Sequence, residues 1–231
     1  MTTIARNLQA VLARIELATN ACGRRASDIT LLAVSKTFPA SYIEEARSGG
    51  QTAFGESYAQ EGVEKITQLS GLGLEWHFIG PVQRNKTRPI AEHFQWVHSV
   101  ARTEIAVRLN AARPEHLPAL DVCIQVNVSG ETSKSGVAPG EELVLARAIA
   151  ALPRLRLRGL MAIPEPTPDV ALQRQRFALV RKLKDELAGH GHALDTLSMG
   201  MSDDLESAIA EGATIVRVGT AIFGHRETLP P

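Results

Sequence analysis

A lysine near the N-terminus directly follows an apolar run and could perform amine chemistry. Residues 32–35 are Leu-Ala-Val-Ser, a composition typical of a buried strand that Lys36 would end. Side chains alternate along a strand, so Lys36 shares a face with Leu32 and Val34. If that face points inward, burial favours the neutral amine that attacks carbonyl groups. The alternatives are a solvated lysine at the rim of the fold, or one that pairs with a carboxylate such as Glu56.

Two turns near the C-terminus have the residue types that bind anions. Residues 198–203 are Ser-Met-Gly-Met-Ser-Asp, and residues 218–224 are Val-Gly-Thr-Ala-Ile-Phe-Gly. Short turns of this kind aim backbone N–H groups at a phosphate, although ordinary tight turns capped by serine have the same composition. Arg217 precedes the second turn and keeps its charge, so it needs an acceptor. That acceptor is either a ligand atom or a carboxylate such as Glu206.

Eight short apolar runs alternate with helical periodicity and must position these residues. The predicted strands are 30–35, 52–55, 75–79, 95–99, 121–128, 157–162, 194–198 and 214–218. The predicted helices are 40–47, 56–69, 103–112, 141–150, 170–187 and 203–210, after an N-terminal helix whose apolar face is Ile4, Leu8, Val11, Leu12 and Ile15. This alternation predicts a parallel sheet, and eight units favour a (β/α)8 TIM barrel over a doubly wound open sheet. In a closed barrel, strand eight adjoins strand one, which places Arg217 near Lys36.

Composition narrows the class of protein. The 231 residues are 44% hydrophobic and 22% charged with zero net charge, which is ordinary for a globular protein. Zero net charge argues against nucleic acid or a membrane surface as partner. Two cysteines cannot build a disulfide framework, which favours the cytoplasm. We expect one domain spanning residues 1–231, acting as a monomer.

Several of these segments together resemble the pyridoxal phosphate homeostasis proteins, the alanine racemase-like family also described as proline synthase co-transcribed. The order and spacing of the segments are specific, and the resemblance spans nearly the whole chain. The matching segments are 32–37, 54–56, 76–80 with Gln83, Asn85 and Lys86, 125–131 with Lys134 and Gly136, 159–161, 197–202 and 216–224. The sequence departs from the family at Ser57, where the usual residue is asparagine, and this puts a direct cofactor contact from position 57 in doubt.

The resemblance implies a fold, a cofactor and a set of site residues. The fold would be the barrel of the alanine racemase N-terminal domain, and the cofactor would be pyridoxal 5'-phosphate. Lys36 would hold the cofactor as an aldimine, and Arg217 would face the pyridine nitrogen. The phosphate would be held by Ser198, Gly219 and Thr220. Met199 and Met161 complete the implied cofactor-binding set.

The resemblance also implies a function, which is buffering the cofactor or delivering it to apo enzymes in vitamin B6 homeostasis. A cationic arginine donates to an unprotonated pyridine nitrogen, which leaves the ring a weak electron sink. Alanine racemases use a tyrosine from a second domain, whereas Tyr42 and Tyr58 follow early strands and the chain stops at Pro231. We therefore expect a carrier without robust catalysis. The alternatives are an amino-acid racemase or related enzyme, and a phosphate-binding barrel in which Lys36 is unmodified.

Overall fold

Eight parallel strands form a closed barrel in the computed structural model, which describes residues 2–130 and 135–224. Glu131 and Lys134 of the motif segments lie outside these residues. The strands are β1 (Thr30–Val34), β2 (Ala53–Glu56), β3 (Glu75–Phe78), β4 (Trp96–Val100), β5 (Leu120–Gln125), β6 (Leu155–Met161), β7 (Thr196–Ser198) and β8 (Ile215–Val218). Each strand pairs with its neighbours in chain order, and β8 pairs with β1, with Arg217 opposite Leu32. The predicted barrel is confirmed, and the open sheet is excluded.

Helices connect the strands and cover the outside of the barrel. They are α1 (Thr3–Ala21), α2 (Ala40–Ser48), α3 (Ala59–Gln68), α4 (Thr87–His93), α5 (Thr103–Ala112), α6 (Glu142–Ala150), α7 (Val170–Gly189), α8 (Leu205–Ala210) and α9 (Thr220–Phe223). The prediction for α5 matches at both ends, and the other predicted ends lie within two residues of the observed ones, apart from the start of α3. Helix α3 begins three residues later than predicted because Glu56 still belongs to β2. No range was predicted for α4 or for α9, and Pro89 lies in the first turn of α4, where proline is tolerated.

Strand side chains divide between the barrel interior and the outer core beneath the helices. Leu32, Ala53 and Ile215 form one interior cluster, and Trp96, Cys123 and Met161 form another. The alternate residues of the strands join the large apolar core that the helices cover. Predicted strand 121–128 ends at Gln125, because the chain then turns from β6 to Val137: Val126 still donates its N–H to Met161, but Asn127 donates to Val137. Predicted strand 194–198 begins only at Thr196.

Helix α1 packs across the junction where the barrel closes, against α2, α8 and α9. Ile4, Leu8, Val11 and Ile15 are buried, as the apolar stripe predicts. Leu12 was predicted to belong to that face but is 39% exposed, because it lies at the edge of the stripe. Within the described residues, none of the helices is both long and apolar enough to cross a membrane.

The amino-terminal face of the barrel is covered by ion pairs. Asp121 at the start of β5 pairs with Arg156 and with Arg158, whose Nη1 lies 2.9 Å from Asp121 Oδ2. Arg158 also pairs with Asp195 at 2.7 Å and lies over the Trp96 ring, 4.8 Å from its centroid. Access to the interior is therefore from the opposite face, at the carboxyl ends of the strands.

Candidate functional site

Lys36 lies at the carboxyl-end mouth of the barrel, immediately after β1. Leu32 belongs to an interior cluster, so strand alternation directs Val34 and Lys36 to the same side. Lys36 is half-buried, and the preceding residue, Ser35, still donates its N–H to Gly55 of β2 at 3.0 Å. The prediction that Lys36 faces the mouth therefore agrees with the register of β1.

The turn that follows β1 has an unusual backbone conformation. Among the described residues, Thr37 is the one non-glycine residue with positive φ, at 68°. Left-handed conformations cost a β-branched residue roughly 1–2 kcal/mol, so other contacts must hold this turn. Phe38 donates its N–H to Ser35 O at 3.1 Å, and Thr37 donates its N–H to Glu61 Oε1 at 2.5 Å. Helix α3 thus fixes the turn that contains Lys36.

A buried ion cluster, formed by Lys65, Glu56 and Glu61, lies under this turn. Lys65 Nζ is 2.8 Å from Glu56 Oε1 and 2.6 Å from Glu61 Oε1. Lys65 also donates to the carbonyl of Ser35 at 2.8 Å, and the Ser35 hydroxyl donates to Glu56 at 2.6 Å. Burial raises the pKa of Glu56, and the neighbouring Lys65 ammonium opposes that rise. The ion-pair partner of Glu56 is thus Lys65, and the alternative that assigned Glu56 to Lys36 is wrong.

Arg217 lies inside the barrel on β8 and is only 3% exposed. Its Nη1 donates to Ser198 Oγ at 2.7 Å, and its Nη2 donates to the carbonyl of Ala162 at 2.9 Å. Burial lowers the pKa of Arg217 to about 10, so the guanidinium stays charged at neutral pH. The proposed salt bridge to Glu206 is wrong, because Glu206 lies on the outside and pairs with Arg14 at 2.8 Å.

Ser198 is fully buried at the end of β7, between Arg217 and a pair of histidines. Its Oγ lies 2.7 Å from His98 Nδ1, and His98 Nε2 lies 2.9 Å from His77 Nδ1. The phosphate role assigned to Ser198 stays a prediction. In the structure, its hydroxyl links Arg217 to His98 inside the barrel. His77 entered the sequence prediction only within the matching segment 76–80, and His98 was not selected. The signal that could have paired them is their position on adjacent strands: His77 on β3 is opposite Trp96 on β4, and His98, two residues further on, faces the same side as Trp96.

The turn after β8 supplies backbone N–H groups next to β1. The first helical hydrogen bond of α9 runs from the N–H of Ile222 to Gly219 O, at 2.9 Å. The N–H groups of Gly219, Thr220 and Ala221 come before this bond in the chain, as at the start of any helix. A β-carbon on Gly219 would lie 3.2 Å from the carbonyl oxygen of Val34. Glycine therefore lets this turn lie close to the strand that ends at Lys36.

The two methionines lie on different sides of the sheet. Met161 is buried in the interior cluster with Trp96 and Cys123, beneath the mouth. Met199 is buried in the outer core, because it follows the inward-facing Ser198. A cofactor contact by Met199 would therefore come from its backbone.

The other positions selected from sequence lie in the segments that follow β2 and β3. Gln83, Asn85 and Lys86 lie in and before a short 3-10 turn after β3, with Gln83 and Asn85 exposed. Ser57 follows β2, and its backbone lies close to Gly80. A β-carbon added to Gly80 would be 2.1 Å from Ser57 O. The structure thus brings together Lys36, Arg217 and the 219–221 turn, and leaves these other positions outside that group.

This geometry defines a class of protein, a closed (β/α)8 barrel in which two neighbouring strands end in candidate binding groups. A lysine follows β1, and a turn that presents backbone N–H groups follows β8. The family described as "Alanine racemase, N-terminal domain" matches residues 7–227. A pyridoxal phosphate homeostasis protein from Pseudomonas aeruginosa is 60% identical, over 98% of this chain and 97% of its own. The corresponding Escherichia coli K12 protein is 55% identical over 98% of each chain. The chain belongs to the pyridoxal phosphate homeostasis protein family.

Solved structures agree with this assignment. PipY of Synechococcus elongatus, determined with PLP bound, is 35% identical with a TM-score of 0.83, over 96% of this chain and all of that chain. The same protein without PLP gives a TM-score of 0.85 at 36% identity, with the same coverage. Alanine racemase from Corynebacterium glutamicum has a TM-score of 0.66 at 18% identity, covering 99% of this chain and 62% of the racemase. That last likeness shows the shared barrel fold.

Proposed function

We propose that this chain binds pyridoxal 5'-phosphate at the barrel mouth between β1 and β8, and that it serves intracellular vitamin B6 homeostasis. The observation that carries the proposal is the adjacency of Lys36 and the 219–221 turn, which follow hydrogen-bonded strands. The names of the relatives and the PLP-bound PipY structure support the identity of the ligand.

The groups at the mouth suit this ligand. Pyridoxal phosphate supplies an aldehyde that condenses with a primary amine, forming a C=N bond and releasing water. We assign Lys36 as that amine and the N–H groups of Gly219 and Thr220 as phosphate donors. Arg217, buried and charged, donates to the pyridine nitrogen, while Ser198 holds Arg217 in place. Met161 lies beneath this position in the interior cluster.

The same residues favour holding the cofactor over catalysis on it. The guanidinium of Arg217 is a donor and retains its protons at neutral pH, so it does not protonate the pyridine nitrogen. A ring without that proton withdraws electrons weakly. We propose that residues 1–231 act as one cofactor-binding domain that stores the aldehyde and releases it to apo enzymes. The unpaired cysteines Cys22 and Cys123 support a cytoplasmic location, and we propose a monomer.

The first test is the visible absorbance of the purified protein with pyridoxal phosphate, before and after borohydride, followed by peptide mapping. We expect a band that borohydride removes, leaving a stable adduct on Lys36. Lys182→Ala, at a lysine whose side chain is 71% exposed, is the matched control and should leave that adduct unchanged. An adduct scattered over surface lysines, or no band at all, would remove the cofactor assignment.

The second test separates a carrier from an enzyme. The loaded protein is mixed with the apo form of an unrelated pyridoxal phosphate enzyme, and the recovered activity is followed with time. A parallel sample is incubated with amino acids in heavy water. Transfer without deuterium uptake at the α-carbon is the expected result, whereas rapid uptake with no transfer would indicate the racemase alternative.

A further inference from the structure

We infer that His98 and His77 are positioning residues for Arg217, and that they belong to a directed hydrogen-bond chain through the barrel interior. This histidine chain consists of the hydrogen-bonded residues Arg217, Ser198, His98 and His77, and it ends at the contact of His77 with Glu75. It crosses from the mouth, where Arg217 lies, to the amino-terminal face, where Glu75 begins β3. The inference rests on the proposed function only in taking Arg217 as the residue that faces the bound ring.

The two ends of the histidine chain fix its direction. Arginine can only donate, so Ser198 Oγ accepts from Arg217 at 2.7 Å. At the other end, Glu75 Oε2 lies 3.3 Å from His77 Nε2, a polar contact whose geometry falls short of a hydrogen bond. Trp96 Nε1 donates to Glu75 Oε1 at 3.1 Å, and contacts with His77 lower the pKa of Glu75, so the carboxylate is ionised and accepts.

The links between these ends then have one consistent arrangement. The Ser198 hydroxyl donates to His98 Nδ1, which must lack a proton. His98 Nε2 therefore carries the proton and donates to His77 Nδ1, and His77 Nε2–H faces Glu75. The opposite arrangement would leave the Ser198 O–H without an acceptor among the described residues and would oppose the lone pair of His77 Nε2 to a carboxylate.

The surroundings keep both histidines neutral and fixed. His98 is fully buried and His77 is 1% exposed, with the His77 ring stacked on Trp96 at 5.3 Å. Burial lowers the pKa of both imidazoles, and the positive charge of Arg217 lowers the pKa of His98 further. A neutral His98 holds the Ser198 proton away from the guanidinium, so that Ser198 presents its lone pair to Arg217.

The cofactor-free protein provides the first test. Long-range proton–nitrogen NMR on protein labelled with nitrogen-15 in histidine and arginine should show the Nε2–H tautomer for His77 and His98. The Arg217 side-chain N–H groups should exchange slowly with solvent. An Nδ1–H tautomer or a doubly protonated ring at either histidine would overturn the direction of the histidine chain.

A matched pair of variants tests positioning itself. In His98→Asn the amide oxygen can take the place of Nδ1 and accept from Ser198, whereas in His98→Gln the polar group reaches the place of Nε2 instead. We expect His98→Gln to speed Arg217 N–H exchange, to shift the absorbance maximum of the bound cofactor and to weaken its binding about tenfold, as one lost buried hydrogen bond implies. His98→Asn should stay within about twofold on the same scale.

Equal behaviour of the two variants would reject the positioning role. If the unsubstituted protein binds no pyridoxal phosphate, the proposed function fails. The tautomers and the Arg217 exchange rates still decide the histidine chain in that case, because both are measured without the cofactor.

Discussion

Lys65 Nζ lies 2.8 Å from the carbonyl oxygen of Ser35, the residue immediately before Lys36. The same ammonium is within 2.8 Å of Glu56 and within 2.6 Å of Glu61, so one buried cation joins β1, β2 and α3 under the turn at the mouth. The position of Lys36 is thus set by groups that would not themselves contact a ligand.

Replacing the buried cation should destabilise the fold strongly. We expect Lys65→Met to lower the free energy of unfolding by about 3–5 kcal/mol, because it leaves Glu56 buried without its partner. Lys182→Met, at an exposed lysine, should cost less than about 0.5 kcal/mol. Urea denaturation measures both. The double variant Lys65→Met with Glu56→Gln should recover part of the loss, and no recovery would contradict the charge explanation.

The backbone at Thr37 offers a gain in stability. With φ at 68°, threonine is strained where glycine is not, so Thr37→Gly should raise the free energy of unfolding by about 0.5–1 kcal/mol after the added chain entropy is counted. Thr67→Gly, within α3, should lower it by about 0.3 kcal/mol, the difference in helix propensity between the two residues. Both follow from denaturant titration. If Thr37→Gly destabilises as much as Thr67→Gly, the turn is not strained.

Stability should depend on pH through the two interior histidines. Their pKa values lie below the ordinary 6.5 in the folded protein, so as the pH falls the unfolded chain takes up protons first. Their stabilising contribution is therefore complete above about pH 6.5 and is lost below it, by up to about 1.4 kcal/mol per pH unit for each histidine. Denaturation at a series of pH values from 7.5 down to about 5.5 measures the slope.

Variants identify which histidine causes that slope. His98→Asn removes one titrating group and should make the slope shallower, whereas His116→Gln, at an exposed position, should leave it unchanged. Burial raises the pKa of Glu56, so that carboxyl contributes to the slope in the opposite direction. An unaltered slope in His98→Asn would show that His98 is not protonated on unfolding in this range.

The close approach of the 219–221 turn to β1 should matter for phosphate. In Gly219→Ala the new β-carbon would lie 3.2 Å from Val34 O, so the turn must shift away from the strand that ends at Lys36. We expect the affinity for pyridoxal phosphate to fall about tenfold, and that for pyridoxal, which lacks the phosphate, to change less than about twofold. Equilibrium titration of both ligands measures this difference. Gly71→Ala, where a β-carbon meets nothing within 4 Å, is the control. An equal loss for both ligands would place the phosphate elsewhere.

The sequence predicted those parts of the site that depend on local rules. Alternation along β1 predicts that Lys36 faces the mouth, and the predicted closure that brings β8 beside β1 is confirmed by the pairing of the two strands. Strand ends were harder to predict, because the flanks of parallel strands are apolar as well. Val126 and Val128 continue the pattern of β5, although the chain has already left the sheet after Gln125.

Partners of the polar side chains could not be predicted in the same way. Glu206 was considered as the partner of Arg217, but it pairs with Arg14. Glu56 was considered as the partner of Lys36, but it pairs with Lys65. These pairs depend on which helix covers which strand end and on the register across the barrel, neither of which leaves a local pattern in the sequence. The contact of His98 with Ser198, between β4 and β7, crosses the interior and was missed for the same reason.

The pairing of β1 with β8 has a consequence for how the protein acquires its site during synthesis. Strand β1 and Lys36 leave the ribosome well before Arg217 and the 219–221 turn are made, and α1 joins them through the bond from Asn7 to Ile222 O. Such distant contacts form late in folding, because the loop entropy between them must first be overcome. A nascent chain therefore exposes Lys36 for most of its synthesis without the groups that would select its ligand. Discrimination begins only when the last strand closes the barrel.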